Sequence, residues 1–259
     1  MTPRTLTCPV TEVEDLSPDV FRVRLDGRAE AAAHDPGQYL ELRLDDETWV
    51  PFSIANAWRG DGEIELHIQH WPERENSARL RELLQVANRL TLRLPGGDCV
   101  LDPESERPLL LVAAGTGFAQ MKALVEGALT ADPRREIELW WAAREPRDLY
   151  LERLPREWAE AHGGFTFHPV TEIAPETPWA GEGVVGHRGR IDQALALSLE
   201  DVSGHDVYLS GSPGMVYACV DVLASLGLSS SRVFSDVFAY APRDPIVPTA
   251  GSLRREAGS

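Results

Sequence analysis

Cysteine is scarce in this chain, with three in 259 residues at positions 8, 99 and 219. The count is odd, the spacings are wide and no C-x-x-C occurs. A disulfide framework, a structural zinc site or an iron–sulfur cluster built within the chain is therefore not expected. No metal site is predicted, and sparse thiols suit a reducing cytoplasm. Long apolar runs are also missing. The longest, Leu109 to Ala114, falls far short of the roughly 20 residues that cross a bilayer. Met1 to Val10 has no apolar signal core, so no targeting segment is expected there. Positive charge is in deficit, with 25 Lys and Arg against 41 Asp and Glu, a net charge of −16. Such a surface repels phosphate backbones and anionic lipid, so neither nucleic acid nor a membrane is an expected partner. The charge serves solubility or offers an acidic face to a basic partner.

What is present falls into two patterns. Over the first hundred residues apolar and charged residues alternate, in Phe21 to Leu25, Leu40 to Leu44, Ile64 to Ile68 and Leu90 to Leu94. Period-two alternation means one buried and one wet face, as in an antiparallel sheet or barrel. Turn signals at Asp26-Gly27, Pro36-Gly37, Gly60-Asp61-Gly62 and Pro95-Gly96-Gly97 separate the runs. One helix, over Ser77 to Val86, interrupts them, with Asn76 or Ser77 as its expected N-cap. The charged, proline-bounded stretch Asp102 to Pro108 reads as a linker. Beyond it, short apolar runs at Leu109 to Ala114, Ile137 to Trp141, Phe165 to Val170, Val207 to Leu209 and Val233 to Val237 alternate with helical spacing. That order implies a parallel sheet covered on both faces. The expected architecture is thus two-domain: an antiparallel β-barrel over 1–102, then an α/β doubly wound parallel sheet over 108–240. Residues 241–259 read as a flexible tail.

Three stretches can carry chemistry. Ala113-Ala114-Gly115-Thr116-Gly117-Phe118 joins a buried strand to a helix. Glycines there let a backbone approach a pyrophosphate, and the helix start supplies unpaired N–H groups; a plain tight turn is the competing reading. Ser210-Gly211-Ser212-Pro213-Gly214-Met215 repeats the arrangement after a later strand, and again glycine and proline can simply make the turn. In Trp49-Val50-Pro51-Phe52-Ser53 the barrel alternation fails at a proline, a feature of edges and bulges. Phe52 offers a stacking face and Ser53 a hydroxyl, or else a core ring and a turn serine.

These stretches, with Pro36-Gly37-Gln38-Tyr39, Glu65 to Ile68, Trp141 to Glu145 and Phe234 to Tyr240, resemble the ferredoxin–NADP reductase superfamily. Within it they look most like the bacterial NAD(P)H:flavin reductases, and the resemblance runs from about Leu6 to Tyr240. It implies a flavin (FMN, FAD or riboflavin) on the barrel, NADH or NADPH on the β/α domain, and hydride transfer from nicotinamide C4 to flavin N5. It places Pro51, Phe52, Ser53, His67, Ile68 and Tyr240 around the flavin, with Ser53 as the catalytic hydrogen-bonding group near N5. It gives Gly115, Thr116, Gly117, Phe118, Arg144, Ser210, Gly211 and Met215 to the nucleotide. Val50 stands where the superfamily has Arg, which argues against a tightly held flavin. Ser210 stands where many members have Cys.

The resemblance implies a flavin reductase that releases reduced flavin to a partner such as a flavin-dependent monooxygenase. Two other outcomes stay open: a resident-flavin reductase passing electrons to a protein partner, and a non-catalytic flavin- or nucleotide-binding module. Arg144 and Arg147 suit a 2′-phosphate, whereas Glu145 and Asp148 suit a free ribose hydroxyl.

Overall fold

The computed structural model describes residues 2–243 apart from Pro72 and Arg74. Of the expected tail, everything from residue 244 onward lies outside the described residues.

The first hundred residues form one antiparallel six-stranded sheet. Its strands are β1 (Arg4–Asp15), β2 (Val20–Asp26), β3 (Tyr39–Arg43), β4 (Trp49–Ser53), β5 (Glu63–Gln69) and β6 (Arg89–Gly96), in the order β4-β3-β6-β1-β2-β5. The alternating apolar residues point inward as the periodicity requires: Val23, Leu25, Leu40, Leu42, Ile64, Leu66, Leu92 and Leu94 are all fully buried in one cluster. Helix α1 (Glu75–Val86) closes that cluster with Leu80 and Leu84. Its start corrects the expected N-cap. The helix is under way by Glu75, and the Ser77 hydroxyl lies inside it, accepting the Trp71 N–H at 2.8 Å. Strand β1 was not evident in the sequence. Pro9 and its run of acidic residues hide Leu6, Cys8 and Val10, which pack on the barrel core.

The two edges of this sheet, β4 and β5, approach each other without forming a ladder. One backbone bond joins β5 to the segment after β4, from Ala55 N–H to Glu65 C=O at 2.7 Å. The barrel is thus half open along a line beside Phe52 and Ile68.

The second sheet is wholly parallel. Its strands are β7 (Leu109–Ala114), β8 (Ile137–Ala143), β9 (Phe165–Thr171), β10 (His187–Arg188), β11 (Asp206–Ser210) and β12 (Val233–Phe234), in the order β10-β9-β8-β7-β11-β12. Helices α2 (Phe118–Ala131) and α3 (Arg153–Ala161) cover one face, and α4 (Ile191–Ser198) and α5 (Pro213–Ser225) the other. The run Val233 to Val237, expected as one strand, pairs only through Val233 and Phe234. Val237–Tyr240 turns instead into a short helix, α6, with Val237 buried against the sheet. The chain order reverses between β7 and β11, so a crevice opens there beyond the strands' carboxyl ends.

One buried cluster on the α4 side titrates. Trp140 stacks on His168 at 4.0 Å and 2°, and His168 Nδ1 lies 3.0 Å from His187 Nε2. Burial and the neighbouring His187 push the His168 imidazole down to about 3. The folded state therefore holds a neutral ring. This contribution to stability is complete above the ordinary value of 6.5 and is lost as pH falls from 6.5 toward 3, at up to about 1.4 kcal/mol per pH unit. Thermal melts between pH 7 and pH 5 should show wild type losing more stability than H168F, which keeps a ring against Trp140 and cannot titrate. Equal losses would contradict this account.

Candidate functional site

The two sheets meet along a seam held by buried polar groups. Glu65 and His67, two residues apart on β5, face the second domain. His67 Nε2 donates to Glu65 Oε1 at 2.9 Å, and the Tyr150 hydroxyl lies 3.1 Å from His67 Nδ1. Lys122 on α2 sits 3.2 Å from Glu65 and 2.8 Å from Glu126, and donates to the Ala55 carbonyl at 3.0 Å. Burial alone would raise the Glu65 carboxyl, but the His67 hydrogen bond and the Lys122 charge outweigh it and hold Glu65 well below the usual carboxylate range. Burial keeps His67 neutral, against the pull of Glu65. Gln120 ties a second point of the seam, donating to the Gly37 carbonyl at 2.7 Å and to Asp236 Oδ2 at 2.8 Å.

Removing Lys122 would take the buried cation from between Glu65 and Glu126, leaving Glu65 with Arg24 at 3.2 Å and Glu126 with Arg59 at 3.6 Å. Lys122→Met is therefore expected to destabilise the fold by about 3 kcal/mol, the low end for breaking a buried pair. Urea denaturation checks this; a change under about 1 kcal/mol would mean that the seam is solvated.

Three adjoining cavities open beside this seam. The middle one, about 430 Å³, brings Pro51, Phe52, Ser53 and His67 of the barrel to face Gly115, Thr116 and Gly117 and then Ser210 and Gly211 of the second domain. A cavity of about 710 Å³ extends from Phe52 and Ser53 past Asp236 to Tyr240. Another, about 670 Å³, runs from Gly115 and Thr116 past Arg144 to Met215. Eleven residues expected at the site thus meet around one crevice. Tyr240 lies at its rim, 65% exposed. Ile68 is set back, buried under a separate cavity with Val50 and Ser77. Phe118 does not reach the crevice with its side chain. It is fully buried and stacks on Trp141 at 3.8 Å, because α2 turns its first residue into the core.

The local geometry fits a pyridine nucleotide on the second domain. Gly115 has φ +54 and open space where a Cβ would stand. The Trp141 indole N–H holds the Gly115 carbonyl at 3.0 Å, so the loop is fixed while its upper side stays free. At Gly117 a Cβ would lie 2.2 Å from the Ser210 carbonyl oxygen. Only glycine lets the two loops touch. Helix α5 starts in the same crevice, with Ser212 as its N-cap and open space at Gly214. Exposed glycine backbone beside a helix N-terminus is a place for an anionic group.

The barrel side fits a planar heterocycle. The facing, unladdered edges of β4 and β5 offer backbone groups, and Phe52 offers a ring. Ser53 lines two of these cavities, and its hydroxyl has no hydrogen-bond partner among the described residues. Asp236, which the sequence reading missed as a site residue, lines the same space. Burial raises its carboxyl above the ordinary value, opposed by Gln120 and aided by Asp98. Its signal was the segment Phe234 to Tyr240 itself, where only the aromatic residues had drawn notice.

Comparison with known proteins agrees with this geometry. The family described as Oxidoreductase FAD-binding domain matches residues 7–100, and that described as Oxidoreductase NAD-binding domain matches residues 111–221. The reductase component 1 of terephthalate 1,2-dioxygenase from Comamonas is 33% identical over 227 residues, 87% of this chain and 66% of that protein. This chain thus spans just under two thirds of the length of that relative. The NAD(P)H-flavin reductase of Vibrio harveyi is 29% identical over 242 residues, 91% of this chain and 99% of that one. Among solved structures, the Amycolatopsis cytochrome P450 reductase GcoB superposes with a TM-score of 0.79 at 30% identity, over 90% of this chain and 69% of that one. The chain belongs to the ferredoxin–NADP reductase superfamily. Its two domains are a flavin-binding and a nicotinamide-nucleotide-binding domain of the oxidoreductase type. No described helix is long and apolar enough to cross a membrane.

Proposed function

We propose that this protein is an NAD(P)H:flavin oxidoreductase that moves hydride from nicotinamide C4 to flavin N5 and releases the reduced flavin to a partner oxygenase. The observation that carries the reading is the middle cavity, where the free Ser53 hydroxyl and the Phe52 ring face the Gly115 and Ser210 loops across a space shared by both domains. When bound, the nucleotide supplies the hydride and the flavin accepts it, and no protein group need change protonation in that step. The chain's task is to hold two rings with reacting atoms about 3–3.5 Å apart and to keep water out. In this assignment residues 1–102 hold the flavin and 108–240 the nucleotide. Pro51, Phe52, Ser53, His67, Ile68 and Tyr240 serve the flavin. Gly115, Thr116, Gly117, Arg144, Ser210, Gly211 and Met215 serve the nucleotide, and Phe118 acts only through its backbone at the start of α2.

Release is favoured by the cavity behind Phe52. Its described lining includes Val50 and Glu75 and no cation, so among the described residues nothing there offers an ion pair to a flavin phosphate. A cytoplasmic setting is part of the proposal, supported by three free, buried thiols. The second reading, a resident-flavin reductase serving a protein partner, draws support from relatives named as the reductase component of a dioxygenase and the reductase subunit of an aromatic O-demethylase. The visible spectrum of the purified protein, followed by nucleotide loss at 340 nm with and without added flavin, separates the readings. Colourless protein with flavin-dependent oxidation supports release. Yellow protein reduced without added flavin supports the second reading, and no oxidation with any flavin removes both.

A further inference from the structure

The cavity of about 670 Å³ that extends from the Gly115 turn carries a charge pattern with a consequence for substrate choice. Five carboxylates line it, from Asp19, Glu145, Asp148, Glu172 and Asp192, against the guanidinium groups of Arg144, Arg147 and Arg190. Two of those cations are already engaged. Arg147 pairs with Glu145 at 2.9 Å, and Arg190 holds Asp192 through two nitrogens at 3.0 and 3.2 Å. Arg144 alone has no carboxylate partner among the described residues. A dianionic 2′-phosphate entering here would meet a lining with a net charge of −2, and apart from Arg144 every cation it could reach would have to leave an existing pair.

Glu145 is also built to stay in place. It stands just past β8, the strand beside β7, where a carboxylate in this kind of sheet meets the adenosine ribose. A reciprocal capping box fixes it: the Glu145 carboxylate accepts the Asp148 N–H, and the Asp148 carboxylate accepts the Glu145 N–H at 3.0 Å. A carboxylate has about four acceptor positions. With one taken by the capping box and one by Arg147, two remain for a pair of ribose hydroxyls.

Resting on the reading of this cavity as part of the nucleotide site, we propose that Glu145 is the specificity-determining residue and that it selects a dinucleotide with a free 2′-hydroxyl, NADH rather than NADPH. A 2′-hydroxyl donates to the fixed carboxylate. A 2′-phosphate has no proton to donate near neutral pH and brings like charge to it.

Isothermal titration with NAD⁺ and with NADP⁺ tests this without any turnover, so a failure of the flavin-reductase reading leaves the test intact. NAD⁺ is expected to bind at least tenfold more tightly than NADP⁺. In E145Q, which removes the charge and keeps the shape, the ratio should fall to within about threefold. A kcat/KM ratio for NADH over NADPH should follow the same order wherever turnover is measurable. Equal binding, tighter binding of NADP⁺, no binding of either, or a ratio unmoved in E145Q would each overturn the proposal.

Discussion

Replacing Ser53 by alanine is expected to lower kcat about 100-fold while the KM for flavin and for nucleotide each stay within about threefold. Ser53 ends an edge strand, where its register opposite Tyr39 is set by the β3–β4 ladder. Its backbone is therefore placed by the sheet, and only the hydroxyl is free to serve a ligand. Because the hydroxyl gives up no protein partner, its loss should alter folding stability by less than about 0.5 kcal/mol. Its effect would be felt where charge and an N–H develop on the flavin. A single well-placed hydrogen-bonding group of that kind contributes about 2.7–4 kcal/mol to the barrier, or 10²–10³ in rate. An interaction that strengthens only at the transition state lowers kcat without raising KM. Steady-state kinetics of S53A and S53T separate this from a steric account, since threonine keeps the hydroxyl while changing the bulk. A turnover of S53A within twofold of wild type would remove Ser53 from the reaction.

Gly117→Val is expected to weaken NAD⁺ binding more than tenfold with little change in flavin binding. The physical cause is backbone against backbone. A Cβ at this position would stand 2.2 Å from the Ser210 carbonyl oxygen and 2.7 Å from its carbon, so no rotamer change relieves the clash. One of the two loops must move, and both line the middle cavity. Flavin contacts on β4 and β5 lie in the other domain and should be spared. Overpacking of this sort costs about 1–3 kcal/mol of stability, small enough for the variant to remain folded. Titration of NAD⁺ and of riboflavin into the variant, beside its circular dichroism spectrum, measures the two affinities separately. Unchanged nucleotide affinity would show that the contact between the loops does not shape the site.

Much of this was written in the residue order. Period-two alternation in Phe21–Leu25, Leu40–Leu44, Ile64–Ile68 and Leu90–Leu94 gave the barrel, because a strand with one wet face can place its apolar residues in only one way. Unbroken apolar runs such as Leu109–Ala114 gave the parallel sheet for the opposite reason, since a strand covered on both faces has no wet side to mark. The glycines at 115, 117 and 211 were legible because a strand-to-helix turn narrows the choice of residue. Where a local signal was diluted, the sequence misled. Pro9 and a run of acids masked β1. Ser77 looked like a cap but lies within the first turn of its helix. The apolar Val233–Val237 run bends after two residues into α6.

The sequence by itself determined the two-domain plan and the place of the two glycine loops at strand-to-helix turns, because each depends on residues adjacent in the chain, whereas the role proposed for Ser53 rests on the family resemblance. Only the tertiary structure decided which side chains share a space. It sent Phe118 into the core against Trp141, joined Glu65 and His67 to Lys122 and Tyr150 across the seam, and brought Asp236 beside the Ser53 cavity. These outcomes depend on distances between segments up to 116 residues apart in the chain, as in the Gln120–Asp236 bond. Such distances are set by packing, and periodicity along the chain does not encode them.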